Sequence, residues 1–387
     1  MTSKILVLPS KSIYWNPSDF QIGLRNKLNE YLQLYFPNFF ETLKVPKSLR
    51  KKNFLDYLSL KLNNFPLPGN DLAWWGRLHE IDQVEVKIVG HPNSSFFNSE
   101  LESEIAQKWP VLFGFEPHES LSFDESLINL KNFDYLLVSS RFDKKFKMLL
   151  EKARKIQIPI AYIDAFDDEP IYEFGKNYLS EKYSFFYDLF FKKDLPLGLK
   201  SEKILPLAPM PYSSKLKMVF KEKKSLKSIF FSGTNRKNIT RPDRELICNF
   251  IEKSFPDSKI FLNKPKLPED KYNFFLKESL IQLSPSGRVW DSFRHISAAI
   301  DSPLLVIPKN DCELTWDIFK DDVNCIMYDP KKLDTENLNI LKSRIESLVN
   351  DESLSLKMRK NYFDSVSGKC SQFNASDYIL KELKSIR

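Results

Sequence analysis

The chain has 387 residues, 42% of them hydrophobic and 28% charged, with a formal net charge of +7. That length predicts two domains and that balance a soluble globular protein. Interspersed lysines and acids allow attraction to phosphates or to an anionic membrane surface but supply no dense basic arm for nucleic acid.

No stretch approaches the ~18 consecutive apolar residues of a spanning helix, so any membrane contact is expected to be peripheral. The N-terminal MTSKILVLPS reads as a strand rather than a signal peptide. Cys248, Cys312, Cys325 and Cys370 are far apart, and the four histidines do not join them at ligand spacing. A structural zinc or a disulfide framework is therefore not expected, and a reducing, cytoplasmic setting is.

In chain order, ILVL (5–8) is an expected buried strand. Residues 18–36 form an expected helix, with Phe20, Leu24, Leu28, Leu32 and Phe36 on one face. FPLPGNDLAWWGR (65–77) combines turn residues with two adjacent Trp and reads as a surface loop with an apolar rim. Strands are expected at 84–90, 133–140, 158–164 and 187–194, with a charged helix after 140 and an acidic loop at 164–170. Residues 195–227 are rich in Pro, Ser and Lys, which places a linker over 201–227 between a first domain (1–200) and a second (228–387).

The second half repeats the grammar. Strands are expected at 228–233, 279–285, 304–307 and 324–329, and helices at 241–255, 291–300 and 335–350. Strands separated by helix-length crossovers predict parallel sheets and an α/β fold.

Two strand-end loops carry candidate chemistry. In FFSGTNRKNITRPDREL (230–246), Ser232, Gly233 and Thr234 follow a strand, and Arg236, Lys237, Arg241 and Arg244 come after them. Arg241 and Arg244 can equally be outer-face charges of the next helix, the more so Arg244. In SPSGRVWDSFRHISAAI (284–300), Ser286, Gly287 and Arg288 lead to Asp291, Ser292 and Arg294. Backbone N–H groups at a helix start favour an anion, glycine lets the backbone approach it, and arginine matches phosphate geometry. Spacing alone leaves open a plain β–α unit with solvent-facing arginines. Both loops follow strands of one sheet, at the edge where open α/β sheets bind ligands, which favours a phosphate-bearing nucleotide.

These stretches, with DDVNCIMYD, the helix at 335–350 and the terminal ASDYILKEL, resemble the donor-binding domain of GT-B glycosyltransferases, especially the bacterial exostosin-like and spore-coat-type branch. The match runs from about 228 to 385, and a weaker one covers FDYLLVSS and IPIAYIDAFDD. The resemblance implies two Rossmann-like domains facing each other across a cleft. The second would hold a nucleotide-sugar donor and the first a glycan or lipid-linked acceptor, with no metal or other cofactor. By it, Gly233, Thr234 and Arg236 line the donor side, and Ser286, Gly287, Arg288, Ser292 and Arg294 hold diphosphate and sugar. It further implies bacterial surface polysaccharide or glycolipid synthesis.

The pattern departs from the family at two places. Ser297 stands where a Glu is expected, and Asp301-Ser302 where a Gly turn is expected. Either Asp291 or Glu313 fills the role of the Glu, or donor binding is weakened, or the chain binds a nucleotide, glycan or protein partner without transfer. A general base from the first domain would serve an inverting mechanism, with His79, His91, Asp164 and Asp167 as candidates.

Overall fold

The computed structural model describes residues 2–8, 72–89, 120–139, 147–164, 187–209, 218–235, 241–265, 267–287, 290 and 293–386. The helix expected over 18–36 and most of the acidic loop at 164–170 lie outside them.

The described elements run in chain order as β1 (Ser3–Leu8), α1 (Leu72–Trp75), β2 (Val84–Val89), β3 (Ser120–Leu121), α2 (Phe123–Asn129), β4 (Tyr135–Ser139), α3 (Lys147–Lys155), β5 (Ile160–Asp164), β6 (Leu189–Lys192) and β7 (Ile204–Pro206). There follow β8 (Leu226–Gly233), α4 (Asp243–Ser254), β9 (Lys259–Leu262), α5 (Glu269–Glu278), β10 (Ser279–Leu283), α6 (Phe293–Ser297), β11 (Leu304–Pro308), β12 (Ile326–Tyr328), α7 (Thr335–Asn350), α8 (Glu352–Lys369) and α9 (Gln372–Ser385).

One sheet has the order β3-β2-β1-β4-β5-β6-β7 and the other β12-β11-β10-β8-β9. In the first, β1 pairs in parallel with both β2 and β4. Ile5, Leu6, Val7 and Leu8 are all buried. A parallel strand covered on both faces reads as a continuous apolar run, which is why ILVL carries no alternation. By contacts the chain divides into two compact units, Met1–Leu72 with Asp82–Tyr162, and Ala73–Ile81 with Ile163–Arg387. The stretch read as a linker contains β7, which pairs in parallel with β6. A short strand bounded by prolines and lysines has the composition of a loop, and only its pairing reveals it.

The second sheet is parallel throughout: β10 pairs with β8 and β11, β11 with β12, and β8 with β9. Its side chains alternate between two cores. Ile229 and Phe231 of β8 and Leu304 and Val306 of β11 meet Ile247 and Ile251 of α4 and Ile345 of α7. On the other side, Leu305 and Ile307 meet Trp290, Ile296, Phe319, Tyr362 and Val366. α4 starts where expected, with Pro242 at its N-cap, acids in its first turn and Lys253 in its last, as the helix dipole favours.

Two expectations are corrected. The Trp pair of 65–77 does not rim a surface loop. Trp74 and Trp75 are both buried, and the Trp74 indole N–H donates to the Ala208 carbonyl at 2.6 Å. A buried indole is tolerated once its one donor is satisfied. Of the helix expected over 291–300, the described residues are α-helical at Phe293–Ser297 and tighten into a 3-10 turn at Ala298–Asp301. Ser302 then takes φ 55°, ψ 42°, the left-handed region in which the expected glycine would be at ease. The Ser302 hydroxyl accepts from the Lys221 N–H at 3.3 Å, and its carbonyl accepts from Arg359 Nε at 2.7 Å.

Candidate functional site

The ends of β8 and β10 are neighbours because those strands pair directly. The loops that follow them are bound together by one side chain. Arg244, in the first turn of α4, donates from Nε to the Ser286 carbonyl at 2.9 Å and from Nη1 to the Thr234 carbonyl at 2.7 Å. The reading of Arg244 as an outer-face charge is therefore wrong: only 4% of it is exposed. The helix periodicity places it on the sheet side, and two loop carbonyls replace the water it loses. The Arg241 N–H adds a bond to the Gly287 carbonyl at 3.1 Å. The Arg241 side chain is ion-paired with Asp311, beyond β11.

Arg294 approaches from α6 and donates from Nη2 to the Ser232 carbonyl at 3.1 Å. Its guanidinium and that of Arg244 lie 5.5 Å and 5.9 Å from the centre of the Phe231 ring. Desolvation lowers the Arg244 pKa, and the neighbouring Arg294 charge lowers it further. A bound anion would favour two guanidiniums held this close. Gly233 has no room for a side chain. A Cβ there would stand 2.8 Å from Phe231 Cζ and 3.2 Å from Arg294 Nη2. Glycine at this strand end is what lets the Arg294 guanidinium reach the backbone.

The loop after β10 is fixed from below. The Ser284 N–H donates to the Val306 carbonyl at 2.8 Å, and its hydroxyl lies 2.8 Å from His295 Nδ1. His295 is fully buried against Trp290, ring centres 4.9 Å apart, and burial pushes its pKa down to about 3. The Tyr362 hydroxyl donates to the His295 carbonyl at 2.6 Å, so α8 anchors α6. Ser286, by contrast, is fully buried and its hydroxyl has no hydrogen-bond partner among the described residues. A buried orphan hydroxyl costs roughly 1–3 kcal/mol, which a bound polar ligand would recover.

The structure thus brings together Gly233, Thr234, Ser286, Gly287 and Arg294. Arg236, Arg288, Asp291, Ser292 and His91 lie outside the described residues, as does Asp167. Asp164 ends β5 in an ion pair with Lys192 at 3.0 Å. His79 is half-buried on a 3-10 turn, Leu78–Glu80, with Nε2 3.9 Å from the Glu80 carboxylate. Glu313 accepts the Gly198 N–H at 2.8 Å. Among the described residues, no group of three or more His, Cys, Asp or Glu is arranged to hold a metal ion. All four cysteines are buried free thiols. No described helix is long and apolar enough to cross a membrane.

Sequence reasoning missed Arg244 as the strut and His295 as the prop. The signal for His295 was its place beside Arg294 in a helix whose next residue, Ile296, faces the core. The signal for Arg244 was its spacing from Ile247, Cys248 and Ile251, which puts it on the buried face of α4, whereas Arg241 precedes the helix.

No protein-family model and no curated protein matches the sequence. Among solved structures, Anabaena HepE in complex with UDP is similar with a TM-score of 0.50 at 9% identity, over 82% of this chain and 96% of that one. The same protein in complex with UDP-glucose gives 0.49 at 10% identity, with the same coverage of both chains. An alpha-glucosyltransferase in complex with UDP-glucose and DNA containing an abasic site gives 0.44 at 12%, over 79% of this chain and 91% of that one. The first likeness, with the two parallel sheets, shows a two-domain Rossmann-like fold of the GT-B kind.

Proposed function

We propose that this GT-B-fold chain is a glycosyltransferase that takes its sugar from a nucleotide-sugar and binds the donor diphosphate at the ends of β8 and β10. The observation that carries this is the Arg244–Arg294 pair, which holds two strand-end loops side by side around the orphan Ser286 hydroxyl. HepE, the similar structure, was solved with UDP bound. In transfer, the bond between the anomeric carbon and the diphosphate oxygen breaks, and negative charge builds on the departing diphosphate. Preorganised donors aimed at that charge lower the barrier without needing a metal. Arg294 and the Ser286 hydroxyl are the described groups for this role, and Arg236, Arg288 and Ser292 complete it in the reading. The acceptor is a glycan or a lipid-linked glycan, the setting bacterial surface polysaccharide synthesis, and the branch exostosin-like. The branch and the acceptor rest on the family resemblance over about 228–385, and the setting on that resemblance and the mild basicity, not on any motif.

The test is calorimetric titration with nucleoside diphosphates and nucleotide-sugars. Losing one charge-assisted phosphate contact weakens binding by roughly 10–100-fold, which is the effect expected of Arg294→Ala with the fold retained. No binding by the wild-type chain across the common nucleotides overturns the donor site.

A second reading is a chain that binds the donor without transferring it. Ser297 favours it: an uncharged residue ends α6 where the family carries Glu, and the carboxylate of Glu313 is engaged by the loop at Gly198. Donor binding without release of nucleoside diphosphate, over a panel of acceptors, identifies this case.

A further inference from the structure

We infer that the surface formed by α2 and α3 in the first unit docks on an anionic lipid bilayer. Three large apolar side chains are strongly exposed there: Ile128 at 71%, Met148 at 53% and Ile156 at 42%. They are the exposed large hydrophobics among the described residues of that unit: Ile128 on α2, Met148 on α3, and Ile156 directly after α3. Singly exposed apolar residues are ordinary, whereas a group on one face is not. Lys152 joins them. Its ammonium donates to the Leu127 carbonyl at 2.5 Å, next to Ile128. Met148 and Ile156 lie one turn before and one turn after it. Ile156 continues the helical path, its N–H bonding the Lys152 carbonyl at 3.1 Å.

The charge around these side chains chooses the occupant. Lys147, Lys152, Arg154 and Lys155 stand on α3 against the single acid Glu151, which pairs with Lys147 at 3.8 Å. Lys131 follows α2. The acids of α2, Asp124 and Glu125, sit in its first turn, where the Ser122–Glu125 capping box engages Glu125. The opposite face of α3, with Leu149, Leu150 and Ala153, is buried. An amphipathic helix with a basic, partly apolar outer face suits the headgroup region: the apolar tips enter it and the cations meet lipid phosphates. The inference does not depend on the donor site, and either can fail alone.

The test is flotation of the full chain with vesicles of phosphatidylcholine, with and without phosphatidylglycerol, at low and at physiological salt. The wild type is expected to float with the anionic vesicles, less so as salt rises, and to stay behind with the neutral ones. Lys155→Ala is expected to weaken binding about fivefold. The double variant Met148→Ser/Ile156→Ser is expected to weaken it about tenfold or more. Both positions are exposed, and unchanged circular dichroism verifies the fold. Absence of vesicle binding overturns the inference, as does binding that neither variant alters. So does a dimer of the wild type, seen by light scattering, that the double variant dissociates.

Discussion

Arg244 shows how little a residue's type says about its place. A guanidinium 4% exposed is tolerated because two carbonyls with fixed geometry accept its hydrogens, and those carbonyls belong to different loops. His295 makes the complementary case, a titratable ring kept neutral. Desolvation is the main cause of its lowered pKa, about 3 against the ordinary 6.5 of a histidine, and the charges of Arg294, Lys193 and Arg244 act in the same direction. The unfolded chain binds a proton below about pH 6.5 while the folded chain does not, so this group's contribution to stability falls as pH drops from there toward 3. Denaturant titrations at pH 7 and pH 5 check this. The wild type is expected to lose about 2 kcal/mol more than His295→Gln over that interval. Equal losses in the two proteins mean that the ring is hydrated or protonated.

At the scale of elements, the segment of residues 73–81 is held in part by a hydroxyl of the C-terminal helix. Ser376 of α9 is fully buried. Its Oγ donates to the Trp74 carbonyl at 2.9 Å and accepts the Arg77 N–H at 3.1 Å. Around it, Trp74 reaches Ala208, and the Tyr378 hydroxyl reaches the Pro206 carbonyl at 3.0 Å. Ser376→Ala removes a partner from the buried Trp74 carbonyl and from the Arg77 N–H and is expected to cost about 2 kcal/mol. Hydrogen exchange locates the effect: amides of 73–81 should exchange faster in the variant while β10 and β11 stay protected. Uniform loosening across the chain points to a general stability loss instead. α6 is also an element decided by its neighbours. Five helical residues have little intrinsic stability or dipole of their own. α6 is held by Tyr362 and by the Ser284–His295 contact, so the anion binding proposed for this site would rest on arginines more than on a helix end.

For the whole molecule, a ligand that binds only the folded state stabilises it by mass action, about 2.7 kcal/mol at a concentration one hundred times its dissociation constant. If the donor site is as proposed, a nucleoside diphosphate raises the melting temperature of the chain. The accompanying gain in hydrogen-exchange protection should centre on 232–235 and 284–287. Protection that appears instead on the strands of the first sheet places the nucleotide elsewhere. The net charge of +7 is small for this length, and its interspersed pattern gives no reason to expect tight nucleic-acid binding at physiological salt.

Much of the architecture was legible in the order of residues. Continuous apolar runs such as LLVI and IAYI marked buried parallel strands, and TENLNILKSRIESLVN marked its helix to the residue. The two strand-end loops were also legible, because glycine, serine and arginine after a strand have local meaning. What the chain could not disclose was the fate of its long polar and amphipathic side chains. Arg244 and Arg241 both stand in RPDREL, yet one straps two loops and the other pairs with Asp311. Trp74 and Trp75 look like a surface rim, yet both are buried. The reason is physical. Periodicity reports which face of its own element a side chain occupies. Burial of a charge or an indole requires a partner, and here the partners come from strands and helices that only the order of the sheet brings near.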